Sequence, residues 1–240
     1  GPAMNLVPRQ GGNRLSGTFF ANGAPGDFQQ SNSAEAIAAG LTAPQDLLKI
    51  WDVNGAVGGP IRRDRLWFFG TARYQGNRKT APSFFNANAN DPSRWSYVKS
   101  TEQAIGDGTW KNFNARLTLQ ASPRNKLNFF WDEQQLCTSC LGSVNSATTA
   151  PEAHYNNHAW PRVQQVTWSS PWTNKLLLDA GWGANLINKY GTRPNVSNHN
   201  QLIPVTELCL QGCAANGGIP GLAYRSIATA PFVSSYEADS

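Results

Sequence analysis

Charge, methionine and long apolar runs are all scarce in this sequence. Charged residues make up 15% of the 240, against roughly a quarter in ordinary soluble domains. A single Met stands beside nine Trp and eleven Phe. No stretch reaches the ~20 consecutive apolar residues of a membrane helix, which excludes a helical membrane protein. Strands that cross a bilayer alternate apolar and polar residues, so they escape that test. The longest apolar runs, Leu66-Trp67-Phe68-Phe69 and Leu176-Leu177-Leu178, are strand-sized.

Chemistry is scarce as well. The net charge of +5 is carried by scattered Arg and Lys, whereas nucleic-acid binding needs a concentrated basic stripe. No nucleic-acid partner is expected. The three histidines, His154, His158 and His199, sit in no metal-ligand or triad-like context. His154 and His158 have helical spacing, but Pro151 and Asn156-Asn157 mark that segment as loop. There is no Gly-x-Ser-x-Gly, no phosphate-cradling loop and no convincing carboxylate pair. The expectation is a protein without catalytic residues, resident metal or cofactor.

Four cysteines form two close pairs, Cys137/Cys140 and Cys209/Cys213, both in Ser/Gly/Asn-rich sequence. Zinc sites use similar spacings, but about seventy residues separate these pairs and neither lies on a βαβ scaffold. Local disulfides clipping exposed loops in an oxidising compartment are the expected role. Four cysteines allow three pairings, and spacing leaves the connectivity open.

What the sequence does have is a rhythm. Tight polar turns at Ile61-Arg62-Arg63-Asp64-Arg65-Leu66, Ser122-Pro123-Arg124-Asn125 and Ser170-Pro171-Trp172-Thr173-Asn174 alternate with long irregular segments near 23–49, 77–109 and 136–157. Short turns at one end and long loops at the other mark an outer-membrane β-barrel. Over 112–121, Phe113, Ala115, Leu117, Leu119 and Ala121 share one face; Asn112, Asn114, Arg116, Thr118 and Gln120 share the other. Leu66, Phe68, Gly70, Ala72 and Tyr74 repeat the pattern, as do Leu176, Leu178, Ala180, Trp182, Ala184 and Leu186. Further strands are expected at 14–22, 53–61, 126–135 and 158–169, with Trp160, Trp168, Trp172 and Trp182 at or near strand ends. One helical segment is expected at 33–51, divided by Pro44. The fold class is therefore all-β: an incomplete antiparallel transmembrane barrel segment of about seven strands, with long extracellular loops and a short loop helix. The opening Gly1-Pro2-Ala3 and the closing residues 233–240 read as an internal piece of a longer chain.

Three motifs carry a resemblance. Asn5-Leu6-Val7-Pro8-Arg9-Gln10-Gly11-Gly12-Asn13-Arg14-Leu15-Ser16-Gly17 resembles the junction where the plug of TonB-dependent outer-membrane receptors passes into the first barrel strand. The segment from Gly55 through Gly58-Gly59-Pro60-Ile61 to Phe69-Gly70 is similar to that family's second hairpin, most of all in its Oar-like branch. Asn114-Ala115-Arg116-Leu117 through Leu127 is similar to the next. The likeness is good over 1–135 and looser over 158–190.

The resemblance implies residues 1–13 as the end of the plug and 14–240 as the first part of the barrel. It implies import of a scarce, bulky nutrient across the bacterial outer membrane, with lipid around the wall and the TonB complex engaged through a missing N-terminal part. Asn112, Asn114, Arg116, Thr118 and Gln120 would line the lumen. Trp95, Tyr97, Trp110 and Tyr155 are candidate ligand contacts. The alternative is a secreted or surface β-rich binding module, for glycans for instance, whose apolar strand faces would meet in a core.

Overall fold

The computed structural model describes residues 11–28, 30, 33–39, 43, 45–89, 91–140, 146–194, 202–209 and 218–226; the side chains of 33, 155–157 and 187–194 are left aside. Seven strands form one antiparallel sheet: β1 (Ser16–Pro25), β2 (Leu47–Arg62), β3 (Leu66–Asn86), β4 (Lys99–Ser122), β5 (Asn125–Thr138), β6 (Tyr155–Thr173) and β7 (Leu176–Pro194). Each strand pairs with its neighbour in sequence, and β1 and β7 stand at the two edges. The chain is nearly all-β, an up-and-down meander consistent with a barrel fragment, as the alternation predicts. A two-stranded sheet, β8 (Val205–Thr206) with β9 (Ala223–Tyr224), accompanies it. No described helix is long and apolar enough to cross a membrane.

Tight turns hold the hairpins at one end. In the β2–β3 turn Asp64 has φ 59°, a left-handed conformation that Asp tolerates through local hydrogen bonding. Asn13 fixes this turn from outside. Its amide donates to Asp64 Oδ1 at 2.5 Å, and its Oδ1 accepts from the Asp64 N–H at 3.1 Å and the Trp67 indole at 2.7 Å. Gly11 lies against the backbone carbonyl of Phe68, where a Cβ would collide. The Gly-Gly-Asn sequence thus lets the entering chain press onto the second hairpin and tie itself there.

The turns do not line up. Leu66 pairs with Leu119, three positions before β4 ends at Ser122. Lys126 pairs with Ser169, four positions before β6 ends at Thr173. Successive hairpins therefore step along the strand axis in one direction. Tilted strands with a constant stagger are what closing a sheet into a barrel requires.

Burial is inverted relative to a soluble sheet. Gly59, Phe68, Leu117, Phe129, Val166 and Trp182 lie side by side across β2–β7, and Leu117, Phe129, Val166 and Trp182 are all exposed. Phe113, on the same face, is 54% exposed, whereas Thr118 opposite is 2% exposed. The apolar face looks outward and the polar face is sheltered. No second layer covers the apolar face within the described residues, so the core expected of a soluble sandwich is missing there.

Two expectations need correction. Among the described residues, the predicted helix over 33–51 is a helix only at Ser33–Ala38, and Leu47–Trp51 opens β2. Its apolar residues meet the helical spacing, but β1 and β3 flank the segment, pairing Gly23↔Trp51 and Trp51↔Gly76. Those ladders supply hydrogen bonds that an isolated short helix lacks. The Trp51 ring occupies the space that a side chain at Gly76 would need. Secondly, much of the expected loops is strand: β3 runs to Asn86 and β4 starts at Lys99. Beyond the apolar band polar residues occur on both faces, so the apolar–polar alternation fades, while β3 and β4 go on pairing with register shifts after Thr80.

Candidate functional site

The five polar residues expected on one face of β4 do share it, and the structure adds their partners. Asn112 donates to Asp132 Oδ1 at 2.8 Å and Gln134 to Asp132 Oδ2 at 2.7 Å. Asn114 reaches Asn112 at 3.4 Å. Asn128 Oδ1 accepts from Arg116 at 3.3 Å and Thr118 at 3.1 Å, and its amide donates to Thr167 at 3.2 Å. Gln120 donates to the Ser122 carbonyl in the turn at 2.8 Å. This network crosses β4, β5 and β6, and it leaves the buried carboxylate of Asp132 with two donors. Asn128, Asp132 and Gln134 went unnamed in the sequence, although their alternation on β5 has the same phase as that on β4.

Towards the long loops the same face hollows into two adjoining cavities. One, of about 530 Å³, is lined by Phe20, Asn54, Thr71, Arg73 and Asn112 among others. The next, of about 520 Å³, is lined by Asn22, Asp52, Gln75, Asn77, Trp110 and Leu136 among others. Between them Arg73 makes a forked pair with Asp52, at 2.9 and 2.6 Å. Asp52 borders both cavities. A forked guanidinium–carboxylate contact fixes both side chains and cancels their charges locally.

The four candidate ligand contacts are not brought together. Trp110 belongs to β4 and lines the second cavity. Trp95 and Tyr97 sit above, in a loop-end cap formed by three segments. There Tyr97 packs on Tyr224 with ring centroids 5.6 Å apart, beside Ala150 and Leu222. The Tyr97 hydroxyl donates to the Phe84 carbonyl at 3.0 Å, and burial pushes its pKa up to about 12, with the nearby charge of Glu152 adding. The Arg225 guanidinium lies 4.0 Å over the Trp95 ring and donates to the Pro92 carbonyl at 2.6 Å. Tyr97 thus packs its own cap, and Trp95 is stacked within it. Tyr155 begins β6, and its side chain lies outside the description.

The cap also buries charge. Glu152 is 2% exposed; one carboxylate oxygen accepts from the Asn86 N–H at 3.5 Å, and the other has no hydrogen-bond partner among the described residues. Burial raises its pKa. Among the cysteines, Cys137 and Cys140 form a disulfide at the loop end of β5, and Cys209 is disulfide-bonded too. Cys213 lies outside the described residues. His158 Nε2 is 3.6 Å from Cys137 Sγ. No group of metal-ligating side chains occurs among the described residues.

On the outward face, the upper end of the apolar band carries aromatics with cations beside them. Trp51 and Tyr74 have ring centroids 5.6 Å apart, with Lys49 5.4 Å over Trp51 and Lys111 5.6 Å over Tyr74. Arg162 pairs with Glu133 at 2.9 Å and stacks on Trp131. Such amphipathic rings and long cationic side chains suit a headgroup boundary.

Comparison with known proteins gives one partial likeness. Seventy residues, 29% of this chain, are 34% identical to the TonB-dependent transporter Oar of Myxococcus xanthus. The aligned part spans 7% of that protein's length. No family model and no solved structure matches. The likeness supports a relationship to TonB-dependent receptors and a transporter-like role at that coarse level.

Proposed function

We propose that this chain is a stretch of barrel wall from a TonB-dependent receptor of the bacterial outer membrane, which imports a scarce, bulky nutrient. Residues 1–13 are the end of the plug, and 14–240 begin the barrel. The observation that carries this reading is the inverted burial on a staggered meander. A wet interior and an oily exterior require apolar side chains outward and a satisfied polar network inward. Asn112, Asn114, Arg116, Thr118 and Gln120 line the lumen, where the plug sits against them. The TonB complex acts through a plug segment N-terminal to this stretch. The chain has no catalytic role.

Reconstitution into vesicles containing brominated lipids tests this. Bromine quenches indoles within the bilayer, so Trp182→Phe should remove far more of the quenchable signal than Trp110→Phe. A soluble monomer that unfolds cooperatively without detergent would overturn the barrel and favour the secreted binding module. Equal effects of the two substitutions would overturn the assignment of faces.

A further inference from the structure

The two ends of the sheltered face differ in how their amides are used. From mid-strand towards the turns, Asn112, Asn128 and Gln134 are all engaged with other side chains. In the second cavity, the side-chain amides of Asn22, Gln75 and Asn77 have no hydrogen-bond partner among the described residues. Three open amides in one hollow can each offer a carbonyl acceptor and two N–H donors.

The rest of the lining narrows the ligand. Trp110, 37% exposed, stands with Ile50 and Leu136 as an apolar wall. Asp52 is the ionisable residue of the lining, and its charge is already taken by Arg73. The lining thus contributes no unpaired cation, and a free anion would lose hydration there without a countercharge. A wholly apolar ligand would in turn leave the amides unpaired. The volume of about 520 Å³ falls in the range of small-ligand sites, roughly 300–1,000 Å³.

We propose that this cavity binds a neutral, hydroxyl-rich ligand, a saccharide. The C–H face of a pyranose packs on the Trp110 ring, and its hydroxyls exchange hydrogen bonds with Asn22, Gln75 and Asn77. This rests on the reading of the sheltered face as the lumen, and it names the class of nutrient captured there.

The test is titration of the full chain, folded in detergent micelles, with maltohexaose, cellohexaose and mannohexaose, and with citrate as the anionic probe. Binding is read by calorimetry and by tryptophan fluorescence. At least one oligosaccharide should bind with a Kd in the micromolar to low millimolar range. Trp110→Ala should weaken it about tenfold or more, and Gln75→Ala by a smaller factor. Trp95→Ala, in the cap, should leave it unchanged. The proposal is overturned if none of the three binds at about 10 mM, if citrate binds more tightly, or if Trp110→Ala has no effect. Vesicle insertion without saccharide binding sinks the ligand class alone. Saccharide binding by a chain that refuses lipid sinks the barrel reading alone.

Discussion

The half of the sheet near the tight turns and the half near the long loops are built from the same strands under different rules. Around Leu117 and Phe129 the outward face is apolar and exposed, and the inward face is a closed hydrogen-bond network. Around Thr101 and Glu102, on the same β4, both residues are exposed and neither is apolar. The two strands β3 and β4 run through both halves, in unbroken register up to Thr80↔Ile105 and with register shifts beyond it. On the barrel reading proposed above, what changes is the medium that the side chains meet. A strand keeps its two-residue period only where its two faces see different surroundings.

The largest expected effect would break the contrast directly. Leu117→Arg should cost about 2–4 kcal/mol in a urea titration of folding in vesicles, the depth-dependent cost of a cation on a lipid face. Thr101→Arg, on the upper half of β4, should stay within about 0.5 kcal/mol. Equal costs would mean that the two halves face the same medium. A smaller effect is expected on the sheltered side. Asp132→Ala leaves the Asn112 and Gln134 amides without their acceptor, and should cost about 1–3 kcal/mol in the same titration. No change there would show that water, not the network, satisfies this face.

The smallest effect concerns the cap. Burial raises the Glu152 pKa above its ordinary 4.5, so the folded cap holds that proton more tightly than the unfolded chain. Its stability is greatest below the unfolded pKa and falls as pH rises through the window up to the folded one. Hydrogen exchange of the 149–153 and 221–226 backbone should therefore speed up across that window, beyond the intrinsic pH dependence. Glu152→Gln should flatten this excess and protect the cap at neutral pH. An excess that persists in the variant would assign the titration to another group.

Legibility followed the same division. The strands over 66–75, 112–121 and 176–186 were readable because one face is oily and the other polar. The upper parts of β3 and β4 were not, since polar residues on both faces read as loop. Leu47–Trp51 read as helix because three apolar residues satisfy helical spacing, and the pairing that overrules it comes from residues as distant as Gly76 and Lys79. The polar face of β4 was legible from period alone, whereas its contacts to Asp132 and Asn128 depend on register. Trp110 stands out by its chemistry, but its place on β4 beside the cavity follows only from the strand's running back to Lys99. Pairing Arg73 with Asp52, or gathering Gln75 and Asn77 beside Trp110, required the fold.

The step between successive turns has an evolutionary consequence. Each hairpin meets the preceding one with nearly the same offset, Leu119 to Ser122 in one case and Ser169 to Thr173 in the other. A wall made this way is modular. Duplicating or deleting one hairpin leaves every other pairing intact and changes only the girth of the closed pore. Barrels of different strand number can thus descend from one repeating unit, with selection acting mainly on the segments that join hairpins at the wide end.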